Sequence, residues 1–115
     1  KLLNTRCFIS QGNVMNLPYE KGTFDLITAF ETVYFWGNLQ KTFNEVHRVL
    51  KNGGLFLICC EASDPSDETW TSRIDGMVVH SAQDLESCLA RCGFSNITTH
   101  RRNKENICVI AQKIQ

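Results

Sequence analysis

Two short runs dominated by apolar residues, Asp25-Leu26-Ile27-Thr28-Ala29-Phe30 and Leu55-Phe56-Leu57-Ile58-Cys59-Cys60, stand out along the chain. Near-continuous apolar runs of this length predict parallel strands buried on both faces. Between them Leu39, Phe43, Val46 and Leu50 recur at steps of four, three and four, one apolar stripe of a helix. Asn38 is placed to cap its start and Gly53 to take the left-handed conformation that stops it, with Arg48 and Lys51 suited to the negative end of its dipole. Strand, helix, strand at this spacing predicts a right-handed parallel crossover.

A second helix is predicted from Ala82 to Cys92, capped by Ser81, buried through Leu85, Cys88, Leu89 and Cys92, and ended by Gly93. Two strands follow, near 96–101 and 106–112, joined by Asn103-Lys104-Glu105. That connector is too short for a crossover, so the pair is an antiparallel hairpin. Ile107, Val109, Ile110 and Ala111 belong inside the sheet, whereas Thr98-Thr99-His100-Arg101 suits its edge. A further short strand is expected at Cys7-Phe8-Ile9-Ser10. The predicted class is α/β, with parallel strands closed by an antiparallel hairpin.

The chain has 115 residues, enough for a single core and one domain. Twelve basic and twelve acidic residues give no net charge, so no long-range field favours nucleic acid or an anionic membrane. No apolar run approaches the roughly 20 residues of a membrane span. Six cysteines raise the question of a disulfide scaffold, but four sit in strand-like runs and two on one helix, with no C-x-x-C pair. His47, His80 and His100 are scattered, so no zinc site is expected. Free cysteines acting as small buried hydrophobes fit a reducing, cytoplasmic compartment.

Several segments carry a resemblance. Gln11-Gly12-Asn13-Val14-Met15-Asn16-Leu17-Pro18-Tyr19 resembles the G-D-A-x-x-L-P-F segment that follows the third strand of class I S-adenosylmethionine-dependent methyltransferases. Gly22-Thr23-Phe24-Asp25-Leu26-Ile27 resembles their G-x-F-D-x-V entry to the fourth strand. Asn44-Glu45-Val46-His47-Arg48-Val49-Leu50-Lys51-Asn52-Gly53-Gly54 resembles E-x-x-R-V-L-K-P-G-G before the fifth, and Ile107–Lys113 the closing strand. The resemblance implies the C-terminal part of a Rossmann-like fold, with S-adenosylmethionine as cofactor and a small-molecule methyl acceptor as partner. The family's E-x-G-x-G-x-G loop and the acidic residue ending its second strand do not occur here, and residues 1–6 are too few to hold them. By resemblance the chain starts at the end of the helix before the third strand, so residues 1–115 are expected to be one incomplete domain, inactive by itself.

The resemblance also nominates residues. Gly12, Asn13 and Val14 match the adenine-contacting turn, where Asn13 replaces an Asp and keeps an acceptor without its charge; the alternative is a plain turn. Phe30, Glu31 and Phe35 lie where the family contacts its cofactor. Glu31 either orients a substrate, acts as a base, or is a solvated strand-end carboxylate. Tyr34, Phe35 and Trp36 offer aromatic walls for an adenine ring or a sulfonium, or else plug the top of the helix. Trp70, Met77 and His80 lie in the long connector 61–80, which is either a lid over the substrate or simply a mobile loop. Tyr34, Trp36, Trp70 and His80 are thus the candidate substrate residues. His100, Arg101, Arg102 and Lys104 read as a solvated face blunting an edge strand.

Two functional expectations follow from different classes. One is methyl transfer to a small molecule by the full-length domain. The other is a non-catalytic half-domain that folds and self-associates. In the family's strand order, 3-2-1-4-5-7-6, strand 25–30 would lose its neighbour, and a homo-oligomer is expected through that exposed edge.

Overall fold

The computed structural model describes residues 6–115. Four strands form one sheet in the order β1-β2-β4-β3: β1 Phe24–Phe30, β2 Leu50–Cys60, β3 Ser95–Arg101 and β4 Ile107–Gln112. β1 and β2 pair in parallel, while β4 runs antiparallel to both β2 and β3. The expected crossover and closing hairpin are therefore present, with the apolar strand inside and the polar one at the edge. Helices α1 (Leu39–Val49) and α2 (Ala82–Arg91) connect the strands.

The caps show why these segments fold locally. The Asn38 side chain accepts from the Lys41 N–H at 3.0 Å, and that of Ser81 from the Asp84 N–H at 3.0 Å. Gly93, with φ +91°, ends α2 as expected. The end of α1 differs from expectation. The helix stops at Val49, Leu50 is already extended, and Gly53 turns inside β2 with φ +84°. Between the pairs Phe24↔Leu50 and Leu26↔Leu55 the register shifts. The chain folds back through Gly53 and Gly54, and a Cβ on Gly54 would lie 2.8 Å from the Lys51 carbonyl oxygen. The carbonyls at the end of α1 are met from the closing strand instead. The buried Lys113 ammonium donates to the His47 and Leu50 carbonyls, each at 2.8 Å.

Both helices cover the same side of the sheet. Phe43 and Val46 of α1, Leu85 and Leu89 of α2, Leu50, Phe56 and Ile58 of β2, and Val109 of β4 make its fully buried centre. Burial of β1 and β2 on both faces, the expectation from their apolar runs, is not realised. Leu26 and Phe30 are 55% and 58% exposed, and Leu55 is exposed on the same side, because no described helix lies there. The strand expected at Cys7–Ser10 does not join the sheet, and Phe8 and Ile9 are exposed. Any helix end before it falls on residues 1–5, outside the described residues. Among the described residues no helix is long and apolar enough to cross a membrane.

A pair of motif residues ties the segment before β1 to the scaffold. Glu45 accepts from Arg48 Nε at 2.7 Å and from the Leu17 N–H at 2.5 Å. Arg48 also donates to the carbonyls of Tyr19 and Leu17 at 2.8 and 3.1 Å. One i,i+3 pair on α1 thus clamps Leu17–Tyr19 through both its members.

Candidate functional site at the carboxyl ends of β1 and β2

The parallel strands β1 and β2 end together, and Glu31 is the first residue beyond β1. It is a non-glycine residue in the left-handed region, φ 58°, a conformation that persists only when its surroundings hold it. Three bonds do so. Its N–H donates to the Cys59 carbonyl at 2.9 Å, and its carboxylate accepts from the Tyr34 hydroxyl at 2.6 Å and from the Glu61 N–H at 2.8 Å. Tyr34 in turn accepts from the N–H groups of Glu61 and Ala62 at 3.0 and 3.1 Å. Burial, reinforced by the bond to Glu31, holds the Tyr34 hydroxyl above its ordinary range, so it stays a proton donor to the carboxylate. Glu31 is therefore an exposed strand-end carboxylate held by hydrogen bonds.

Two cavities meet at this residue. The larger, about 580 Å³, is lined by Phe30, Glu31, Cys59, Cys108, His100 and Arg101 among others. The smaller, about 280 Å³, is lined by Glu31, Tyr34, Phe35, Trp70, Ile74 and Met77. The connector 61–80, without regular structure, lines one side of the second cavity. It is pinned at both ends: Ser63 Oγ donates to the Glu105 carbonyl at 2.7 Å, and the Val78 N–H to the Tyr34 carbonyl at 2.9 Å.

The structure thus places Phe30 and Glu31 on the larger cavity, and Glu31, Tyr34, Phe35 and Trp70 on the smaller. It does not bring the other nominated residues there. Trp36 stacks on Phe56 at 6.3 Å and meets Phe43 edge-on at 6.4 Å, so this aromatic is part of the core. His80 is half-buried and lines neither cavity; burial lowers its pKa, and its Nε2 has no partner among the described residues. Gly12, Asn13 and Val14 also lie away from both cavities. Asn13 Oδ1 accepts from the Met15 N–H at 2.9 Å, closing a local turn. His100, Arg101 and Arg102, read as a solvated face, are exposed but stand on the rim of the larger cavity. Sequence reasoning missed the Glu31–Tyr34–Glu61 network, whose only local signal is the i,i+3 spacing of Glu31 and Tyr34. Among the described residues no group of three or more His, Cys, Asp or Glu side chains gathers to hold a metal ion.

The order and geometry of these strands match known proteins. The family model described as a methyltransferase domain matches residues 2–58. The demethylmenaquinone methyltransferase of Symbiobacterium thermophilum is 44% identical over 54 residues, covering 47% of this chain and 21% of that protein. The sterol 4-C-methyltransferase of Caenorhabditis elegans is 36% identical over 56 residues, covering 49% of this chain and 17% of that protein. Among solved structures, an S-adenosylmethionine-dependent methyltransferase from Thermotoga maritima superposes with a TM-score of 0.79 at 17% identity, over 92% of this chain and 64% of that one. Human N-acetylserotonin methyltransferase, solved with S-adenosylmethionine, gives 0.70 at 15% identity, over 95% of this chain and 36% of that one. Residues 2–58 thus match a methyltransferase-domain family, and the chain has the fold of class I methyltransferases, whose cofactor is S-adenosylmethionine. It spans about a fifth of the length of these curated relatives.

The residues present fit one side of such a cofactor. A fixed carboxylate beside the exposed rings of Phe30 and Phe35 offers charge and aromatic surface to a sulfonium and an adenine.

Proposed function

We propose that this chain forms the acceptor-facing part of a domain that transfers a methyl group from S-adenosylmethionine to an apolar small molecule. The observation that carries this reading is Glu31, held in a left-handed conformation at a strand end and shared by two cavities. Ligands of open α/β sheets bind beyond the carboxyl ends of the strands. Phe30, Glu31 and Phe35 would face the cofactor, which supplies an activated methyl on a good leaving group. The smaller cavity would take the acceptor, because Phe35, Trp70, Ile74 and Met77 give it apolar walls. The names of the relatives, a demethylmenaquinone and a sterol methyltransferase, favour an acceptor of that kind.

The chain's own residues then have limited tasks. The Tyr34 hydroxyl and the Glu61 N–H fix the Glu31 carboxylate, so alignment costs no side-chain reorganisation at the moment of reaction. The connector excludes water from the acceptor. A base is required only where the attacking atom must lose a proton, and Glu31 would be the carboxylate to receive it.

A second reading rests on a different observation. The outer edge of β1 has no strand beside it among the described residues, and Leu26 and Phe30 are exposed along it. Such an edge pairs readily with another chain, which supports self-association of this chain through β1.

Calorimetric titration with S-adenosylhomocysteine separates the two. The first reading expects binding by the wild-type chain that weakens roughly tenfold or more, about 1.4 kcal/mol, in Glu31→Gln. A folded chain that sediments as an oligomer and takes up no ligand would leave only the second.

A further inference from the structure

Cys59 of β2 and Cys108 of β4 stand directly opposite each other in the antiparallel ladder. Their Sγ atoms are 3.2 Å apart. Opposed residues in such a ladder have Cα separations of about 4.5–5.5 Å, inside the roughly 4.4–6.8 Å that a disulfide spans. No backbone movement is needed to join them. Both side chains lie on the sheet face that the helices leave open, both are half-buried, and both line the larger cavity. The other cysteines lack this arrangement. Cys60 is turned into the covered core, Cys88 and Cys92 are sealed under α2, and Cys7 is exposed with no described thiol beside it.

We propose that Cys59 and Cys108 are a redox modification site, a dithiol that closes to an intramolecular disulfide in exchange with a low-molecular-weight disulfide such as oxidised glutathione. In the first step one protein thiolate attacks a sulfur of the glutathione disulfide, breaking its S–S bond and releasing one glutathione thiolate. In the second step the other protein thiolate attacks the protein sulfur of that mixed disulfide and expels the second glutathione. The chain loses two protons and two electrons, and the glutathione disulfide leaves as two reduced glutathione molecules.

The surroundings set the resting form. Burial, and then the contact with Cys108, push the Cys59 thiol up to about 11, so near neutral pH the Cys59 side chain rests as a thiol and attacks slowly. Closure also reaches the candidate site, because the Cys59 carbonyl receives the Glu31 N–H. The new bond would fix one wall of the larger cavity beside that carboxylate.

The test is incubation of the purified chain with oxidised glutathione, quenching with an alkylating agent, intact mass measurement and tryptic mapping. The expected product links the peptide holding Cys59 to that holding Cys108 with the loss of two hydrogens, whatever adduct the exposed Cys7 carries. Cys108→Ser should replace the link with a glutathione adduct on the Cys59 peptide, while Cys60→Ser and Cys7→Ser should leave the link unchanged. The proposal is overturned if the linked product persists in Cys108→Ser. It is equally overturned if Cys7 becomes glutathionylated, proving the reagent active, while Cys59 and Cys108 stay reduced or carry only separate adducts.

Discussion

The two faces of the sheet are made by the same strands and meet different surroundings. On one, Phe56 and Ile58 of β2 and Val109 of β4 are sealed beneath Phe43, Val46, Leu85 and Leu89. On the other, Leu26, Phe30 and Leu55 remain exposed beside the half-buried Leu57 and Ile110. Alternation along a strand assigns residues to faces, and both faces here are apolar. Burial, and the stability it brings, arises only where a helix lies across the strands. The open face is also the one with chemistry, since Glu31, Cys59 and Cys108 border its cavity.

The sharpest way to break this comparison is to truncate neighbouring residues that point to opposite faces. Phe56→Ala should lower stability by about 3–5 kcal/mol in a urea titration, because it opens a cavity in the sealed layer. Leu55→Ala, at a position already partly in water, should cost no more than about 1 kcal/mol. Equal losses would mean that the open face is covered in solution.

Next in size is the clamp that holds the segment before β1. Glu45→Ala should speed amide exchange at Leu17 on the order of tenfold, since its hydrogen-bond acceptor is gone. The same variant has a pH signature. The hydrogen bond from Arg48 holds the Glu45 carboxyl below its ordinary 4.5. Its contribution is complete above that value and is lost as pH falls through the lowered folded value. The wild-type chain should therefore lose this protection at low pH, and Glu45→Ala should show no such limb.

The smallest effect on stability, within about 0.5 kcal/mol, is expected of Leu26→Lys on the open edge. Its use is in sedimentation, where a charge on an unpaired edge should shift any self-associated population toward monomer. An unchanged distribution would place self-association elsewhere.

Much of the scaffold was legible in local signals. Asn38 and Ser81 announced the helix starts, Gly93 the end of α2, and the contrast between Ile107–Ala111 and Thr98–Arg101 the inner and edge strands. The failures were tertiary. Gly53 carried the signature of a helix stop, yet α1 ends at Val49 because the chain is drawn into β2 and Lys113 takes over the helix carbonyls. Cys7–Ser10 has strand composition and does not join the sheet. Of three adjacent aromatics, Trp36 went into the core and Phe35 to a cavity wall, while Tyr34 became the hinge of a hydrogen-bond network.

By itself the sequence determined the elements, their order, the closing hairpin and the family. These depend on periodicity, caps and turn residues that act over a few positions of chain. Tertiary structure alone decided that Glu31 is a fixed carboxylate, that Cys59 meets Cys108, and that one face of the sheet stays open. Each of those joins residues 28 to 49 positions apart, or depends on where helices pack. Register and packing across the sheet set such contacts, and beyond the i,i+3 spacing of Glu31 and Tyr34 no local pattern encodes them.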